Sequence, residues 1–228
     1  MSDLKVVIPA RSGSKRLKNK NLLKIQNKSL LQHAVDFSIG IEPDSIIVST
    51  DSDFYFNSLE NKNFLNFHKR SEFASSDVAK DFDVILEIYK ENLLNEDDIL
   101  VWIRPSSPIR QVTDFKNALN YFYNQKEKFK SLRSIQEVDN HPFWMKKINL
   151  DNSLVSIMED KNEITYPNSA KFPRYFFPTC EFEITTMNNA LSNKSLISFP
   201  STYYITNEKA VDIDNYNDFR YAKFLMEN

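Results

Sequence analysis

Residues 6–21, VVIPARSGSKRLKNKN, join a short β-branched run to a loop carrying Arg11, Lys15, Arg16, Lys18 and Lys20 around Gly13 and two serines. The apolar run, closed by Pro9, predicts a buried strand at the start of an α/β sheet. Ligands of such sheets bind beyond the carboxyl ends of the strands, which is where this loop falls. Gly13 can take a positive φ that turns backbone N–H groups toward a ligand, and the cations supply charge-assisted hydrogen bonds, so a polyphosphate is the natural guest. The alternative is a solvated basic turn. The spacing G-x-x-x-x-G-K-[ST] is absent, as is G-x-G-x-x-G, so neither standard phosphate motif is present.

The chain has 228 residues, 41% hydrophobic and 26% charged, which suits one sizeable α/β domain with a small insertion. With 29 basic against 31 acidic residues the formal charge is −2, so the basic loop is a local feature and nucleic-acid binding is not expected. The single cysteine, Cys180, rules out an internal disulfide framework. The N-terminus enters a strand without a signal-peptide-like apolar stretch, and no long apolar run offers a transmembrane helix, so a cytoplasmic location without membrane association is expected. Of the two glycines, Gly13 lies in the loop and Gly40 follows the first helix, where a C′ glycine would stand.

Along the chain, Ser29 predicts a cap for a helix over 30–39, and 45–50 reads as a second buried strand running into Asp51-Ser52-Asp53. A short strand is expected at 64–68, a helix at 82–93 and an apolar central strand at 98–103. That strand ends in Arg104-Pro105-Ser106-Ser107-Pro108-Ile109-Arg110, where two prolines pin the loop. Arg104 is expected to aim a cation at the sheet's carboxyl edge, where an anionic ligand would lie; Arg110 serves the site or pairs with an acidic helix start. A helix from 113 to 124 and a strand at 131–138 follow.

Residues 139–180 break the rhythm and read as an insertion rich in aromatics and prolines. Phe143, Trp144, Phe172, Tyr175, Phe176 and Phe177 either form a dimer-making patch or fold back on the sheet. Near the end, an extended Val211–Asp214 stretch would put Asp212 and Asp214 on one face, where two carboxylates can share a Mg²⁺ with phosphate oxygens. A helix-capping turn is the alternative.

The segment 8–17 with Lys20-Asn21 resembles the N-terminal signature of the acylneuraminate cytidylyltransferases, enzymes that activate sialic acid and related nonulosonic acids as CMP-sugars. The resemblance implies a doubly wound, mostly parallel, Rossmann-like nucleotide-binding sheet. It also implies that Arg11, Ser14, Lys15, Lys20 and Asn21 contact CTP, with Arg11, Lys15 and Lys20 acting on the phosphates. Arg16 and Lys18 stand where members often carry Gly and Pro. Residues 70–79 resemble the family's R-x-x-x-L-A-x-D-x-A segment, which implies base contacts from Arg70 and Ala79, with Ser76 and Asp77 nearby. Asp81 replaces a frequent serine, and Arg104 a frequent glutamine.

Residues 172–184 stand in place of the family's arginine-proline-asparagine-glycine motif but depart from it: Phe177 replaces the arginine, Thr179-Cys180 the asparagine-glycine and Glu183 the tyrosine. Lys171 and Arg174 are the cations available there for a sugar carboxylate. A carboxylate at Glu183 is expected to make the acceptor pocket more negative and to disfavour plain N-acetylneuraminate. The function implied is Mg²⁺-dependent joining of CTP to a nonulosonic or related 2-keto-3-deoxy sugar acid by a homodimer. The alternatives are a nucleotide-binding protein that has lost catalysis and a transferase acting on sugar 1-phosphates.

Overall fold

The computed structural model describes residues 2–158, 164–165 and 172–228. In chain order the first half contains β1 (Leu4–Pro9), β2 (Lys24–Ile25), β3 (Lys28–Ser29), α1 (Leu30–Gly40), β4 (Ser45–Thr50), α2 (Asp53–Asn57), β5 (Leu65–Lys69), α3 (Glu72–Ser75) and α4 (Asp81–Lys90). There follow β6 (Ile99–Trp102), α5 (Val112–Gln125), β7 (Ser131–Glu137), β8 (Lys146–Ile148), β9 (Leu154–Ser156), β10 (Phe176–Thr186), α6 (Met187–Asn193), β11 (Ser201–Ile205) and α7 (Tyr216–Glu227).

Seven strands form the main sheet in the order β11-β7-β10-β6-β1-β4-β5. β10 runs antiparallel to both of its neighbours and the remaining pairings are parallel, so the sheet is doubly wound and mostly parallel. β1 lies inside the sheet between β6 and β4, and its alternate residues serve two cores. Val6 and Ile8 pack with α1 and α5 through Leu31, Val35, Phe115 and Phe122, while Val7 packs on the other face with Val84, Ile85 and Ile88 of α4. A third cluster of Ile25, Leu30, Val211, Ile213, Phe219 and Ala222 clamps the C-terminal segment beneath the basic loop. No described helix is long and apolar enough to cross a membrane.

Both glycine expectations are corrected. Gly13 does not adopt a positive φ, and Gly40 is the last residue of α1, where a side chain would meet Val112 Cγ2 at 3.3 Å. Gly40 therefore allows a close approach between α1 and the start of α5. The left-handed residues in these two places are Asn19 and Glu42, and asparagine tolerates that region better than most side chains.

The stretch 139–180 divides. Its first part makes a short turn at Pro142–Trp144 and the β8–β9 hairpin, but 176–180 already belong to β10, which pairs with the far end of β7. Phe143 is buried, with its ring 5.0 Å from Phe172 and 5.9 Å from Tyr175, and Trp144 meets Phe172 at 5.3 Å. These rings thus pack on one another, whereas Ile148, Leu150 and Leu154 of the hairpin are exposed.

β10 is irregular between Pro178 and Glu183, which pair with Ile135 and Arg133, so the strand spends five steps against its neighbour's two. Within this bulge Cys180 sits at φ 60°, a left-handed conformation that costs a side-chain-bearing residue about 1 kcal/mol or more. Burial, with Asp212 and Glu183 nearby, lifts its thiol to about 11, so it stays protonated at neutral pH. Cys180→Gly is expected to stabilise the fold by about 1 kcal/mol, net of the smaller side chain, read as a higher urea midpoint with unchanged m-value.

Candidate active site

At the carboxyl edge of β1, β4 and β6 a cavity of about 300 Å³ opens. Its lining includes Arg11, Ser14, Lys15, Lys20, Asn21, Arg70, Ala79, Arg104 and Asp214, so nine of the expected site residues converge on one space. Asp51, at the end of β4, braces the basic loop by accepting from Ser12 N at 2.7 Å and Ser12 Oγ at 2.6 Å. Burial would raise this carboxyl, but the Ser12 hydrogen bonds outweigh it and hold the group below its usual range. Asn21 is buried and its Nδ2 donates to the Arg11 carbonyl at 3.1 Å, folding the loop back on itself.

The cations of the loop are gathered by two carboxylates. Arg11 and Lys15 both pair with Asp77, Arg11 at 3.0 Å, while Arg16 and Lys20 reach Asp214 at 3.0 and 3.5 Å. Lys15 foremost, by its hydrogen bond, keeps Asp77 below the ordinary carboxylate range. Lys20 Nζ also donates to the Ile213 carbonyl at 2.7 Å, tying the first loop to the last segment. A polyanion entering the cavity would exchange these carboxylates for phosphate oxygens on the same cations.

In the segment before α7, Val211 and Ile213 are buried while Asp212 is exposed and Asp214 half-buried, the expected alternation. The capping of α7 falls to other residues: Asn215 Oδ1 accepts from Asn217 N and Asp218 N, and Asp218 Oδ2 from the amides of Asp214 and Asn215. The carboxylates of Asp212 and Asp214 are therefore not consumed by the helix. Asp214 lines the cavity whereas the exposed Asp212 does not; a carboxylate at a phosphate-sized cavity fits Mg²⁺, which is bound through one or two carboxylates plus substrate oxygens rather than by an all-protein cage. No cluster of three or more ligating side chains is found among the described residues.

The acceptor expectations fare differently. Arg104 grips Asp81 with both terminal nitrogens at 3.2 and 2.6 Å, and its Nη2 also reaches Glu183 at 3.0 Å. The other Glu183 oxygen accepts from Arg133 at 2.8 Å. Burial works against the charge of Arg104, but Glu183 and Asp81 outweigh it and hold its pKa above the ordinary arginine value. Glu183 is almost fully buried between two guanidiniums, so its charge is compensated, and the expected negative acceptor pocket is corrected for that reason. Arg174 is exposed and pairs with Glu137 at 2.8 Å, away from the cavity lining. Lys171 lies outside the described residues.

Arg110 takes neither expected role. Its Nε donates to the Glu181 carbonyl at 2.7 Å and its Nη2 to the Arg104 carbonyl, so it bolts the 104–110 loop to the β10 bulge. Burial lowers its pKa to about 10, which leaves it charged at neutral pH.

Sequence reasoning missed Arg133 and Glu181. A charged Glu183 at an inward position of β10 was the available signal that a counter-charge had to come from a neighbouring strand. The buried Glu181 carboxyl accepts from Thr206 Oγ1 at 2.8 Å, yet burial lifts it to about 7. An acid raised from its ordinary 4.5 in the folded state binds its proton more tightly there than unfolded, so its contribution is fully present below pH 4.5 and is lost as pH rises toward 7. Glu181→Gln should flatten stability across that window and gain on the order of 3 kcal/mol over wild type at pH 8, measured by urea unfolding at each pH.

Comparison with known proteins bears on this geometry. The chain matches the family profile described as Cytidylyltransferase over residues 5–224. The chain belongs to the cytidylyltransferase family. It is 29% identical to the N-acylneuraminate cytidylyltransferase of Escherichia coli O18:K1:H7, covering 97% of this chain and 51% of that protein. To the CMP-N,N'-diacetyllegionaminic acid synthase of Legionella pneumophila it is 26% identical, over 97% of this chain and 95% of that one. The chain spans about half the length of several curated relatives, the N-acylneuraminate cytidylyltransferases of Streptococcus agalactiae among them. The solved structure of CMP:2-keto-3-deoxy-manno-octonic acid synthetase complexed with CTP superposes with a TM-score of 0.68 at 17% identity, covering 99% of each chain, and so shares its fold with this chain.

Proposed function

We propose that this chain is a Mg²⁺-dependent cytidylyltransferase that joins CTP to a nonulosonic or related 2-keto-3-deoxy sugar acid, giving a CMP-sugar and pyrophosphate. The observation that carries the reading is the convergence of the first loop, the Arg70–Ala79 wall and Asp214 on one cavity at the carboxyl edge of the sheet. The names of the relatives just described support the choice of nucleotide and acceptor class.

In this reading the anomeric hydroxyl of the acceptor attacks the α-phosphorus and pyrophosphate leaves. Such chemistry needs positioning and charge neutralisation more than a covalent nucleophile. Arg11, Lys15 and Lys20 hold phosphate oxygens, released from Asp77 and Asp214 as the nucleotide enters. Ser14 and Asn21 line the same path, while Arg70 and Ala79 face the base. Asp212 and Asp214 would hold Mg²⁺, which when bound neutralises charge on the triphosphate. Soluble CTP as substrate suits the cytoplasm. The exposed apolar side chains of the β8–β9 hairpin suit a homodimer, and light scattering showing a concentration-independent monomer would remove that part.

A coupled pyrophosphate assay with CTP and a panel of sugar acids and sugar 1-phosphates tests the reading. Release with one or more sugar acids is expected. Tight CTP binding without release would favour a nucleotide-binding protein instead, and release only with phosphorylated sugars would move the chain to the other transferase class.

A further inference from the structure

Ser49 and His68 are nearest neighbours across the β4–β5 ladder, and Arg70 follows two residues beyond His68 on the same face. All three are buried, at 0%, 0% and 8% exposure. Arg70 Nε lies 2.8 Å from Ser49 Oγ, and Ser49 Oγ lies 2.9 Å from His68 Nδ1. The order of donors follows from chemistry. Arginine cannot accept, so Ser49 Oγ accepts from Arg70; two carboxylates face His68 Nε2, which draws the ring proton there and leaves Nδ1 to accept from the serine hydroxyl. His68 is therefore bare at Nδ1 and carries its proton on Nε2. That nitrogen has no hydrogen-bond partner and faces Glu91 at 3.8 Å and Glu87 at 3.9 Å, an attraction without a bond.

We propose that Ser49 and His68 are positioning residues that fix the direction in which Arg70 presents its guanidinium to the nucleotide base. The assignment rests on the reading of the cavity as a CTP site. Arg70 has given its Nε to Ser49, which anchors that edge of the guanidinium; Nη2 on the same edge is buried without a hydrogen-bond partner, and the residue lines the cavity. The anchor is needed because α3 and α4 build the rest of that wall from a separate fixing point. Glu87 of α4 accepts from both the amide and the hydroxyl of Ser71, the residue that caps α3. The chain Arg70–Ser49–His68 thus keys the arginine to the sheet while Glu87 keys the wall to the same corner. Burial keeps the imidazole neutral, the state the donor order requires.

The test compares CTP affinity by calorimetry in wild type, Ser49→Ala, His68→Leu and His68→Asn. His68→Asn keeps an acceptor near the position of Nδ1, whereas His68→Leu fills the space with carbon. We expect CTP binding to weaken about tenfold in Ser49→Ala and His68→Leu, the worth of one hydrogen bond to a charged group, and to stay within about twofold in His68→Asn. A packing role predicts the reverse ranking, with Leu tolerated in this buried place and the smaller, polar Asn harmful. Equal affinity in wild type and Ser49→Ala, or weaker binding in His68→Asn than in His68→Leu, would overturn the proposal while leaving the CTP site standing. If His68→Leu does not fold, Ser49→Ala and His68→Asn still decide. Failure of the wild-type protein to bind CTP would overturn the site and this inference together.

Discussion

Asp214→Asn is expected to lower pyrophosphate release from CTP by roughly a hundredfold or more, with the circular dichroism spectrum unchanged. Asparagine keeps the size of the side chain, and the amide of Asp214 keeps its bond to Asp218 Oδ2, so the segment before α7 should hold its course. What disappears is one negative charge at the cavity, the partner of Arg16 and Lys20. Those two cations then stand uncompensated, so binding of the bare triphosphate should hold or tighten even as turnover collapses. A loss in kcat without a rise in the metal-free Kd for CTP separates a metal-binding role from damage to the loop. Asp212→Ala should lose activity in the same sense, and a chelator should reproduce the loss in wild type. Full activity in both Asp212→Ala and Asp214→Ala would sink the metal assignment.

Glu183→Ala should be among the most destabilising single substitutions in this chain. Its two buried oxygens bridge Arg104 and Arg133, which are themselves partly exposed, and the Nε atoms of both arginines already lack partners. Removing the carboxylate leaves two guanidiniums facing each other across a cavity. Breaking a buried pair on one side costs about 3–5 kcal/mol, which in a chain of this size is on the order of 10 °C in Tm. Asp81 remains as the one acceptor for Arg104, so residual order should survive there. Calorimetric scans of Glu183→Ala and Glu183→Gln check this, with Gln losing less because it keeps an acceptor oxygen. A Tm within a degree of wild type in Glu183→Ala would show that the cluster contributes nothing to stability.

The parts of this molecule that could be read from sequence are those in which the signal is local. β1, β4 and β6 are continuous apolar runs, and each loop at their carboxyl ends begins within a residue or two of the strand's end, so the phosphate loop and the 104–110 loop could be placed before any coordinates. The alternation of Val211 and Ile213 with Asp212 and Asp214 was legible for the same reason. β10 was not, because its bulge at 179–182 breaks the period of two that marks a strand and merges its first residues with the insertion. The partners of Arg104 and Glu183 could not be read because they lie 23, 79 and 50 positions away, and pairwise compensation of charge leaves no mark in any window of sequence. Three positions that each depart from the family pattern, Asp81, Arg104 and Glu183, turn out to answer one another.

The bond from Lys20 to the Ile213 carbonyl spans 193 positions, and the apolar cluster beneath it joins Ile25 and Leu30 to Val211, Phe219 and Ala222. During synthesis the basic loop precedes by 193 positions the 211–214 segment that seats it, with α7 following. Until that segment is made, Arg16 and Lys20 lack their acidic partner Asp214 and the loop lacks its apolar floor, whereas Arg11 and Lys15 can already meet Asp77. At roughly 5–20 residues per second that interval lasts some tens of seconds at most. The basic loop and its apolar floor are joined only when the 211–214 segment docks.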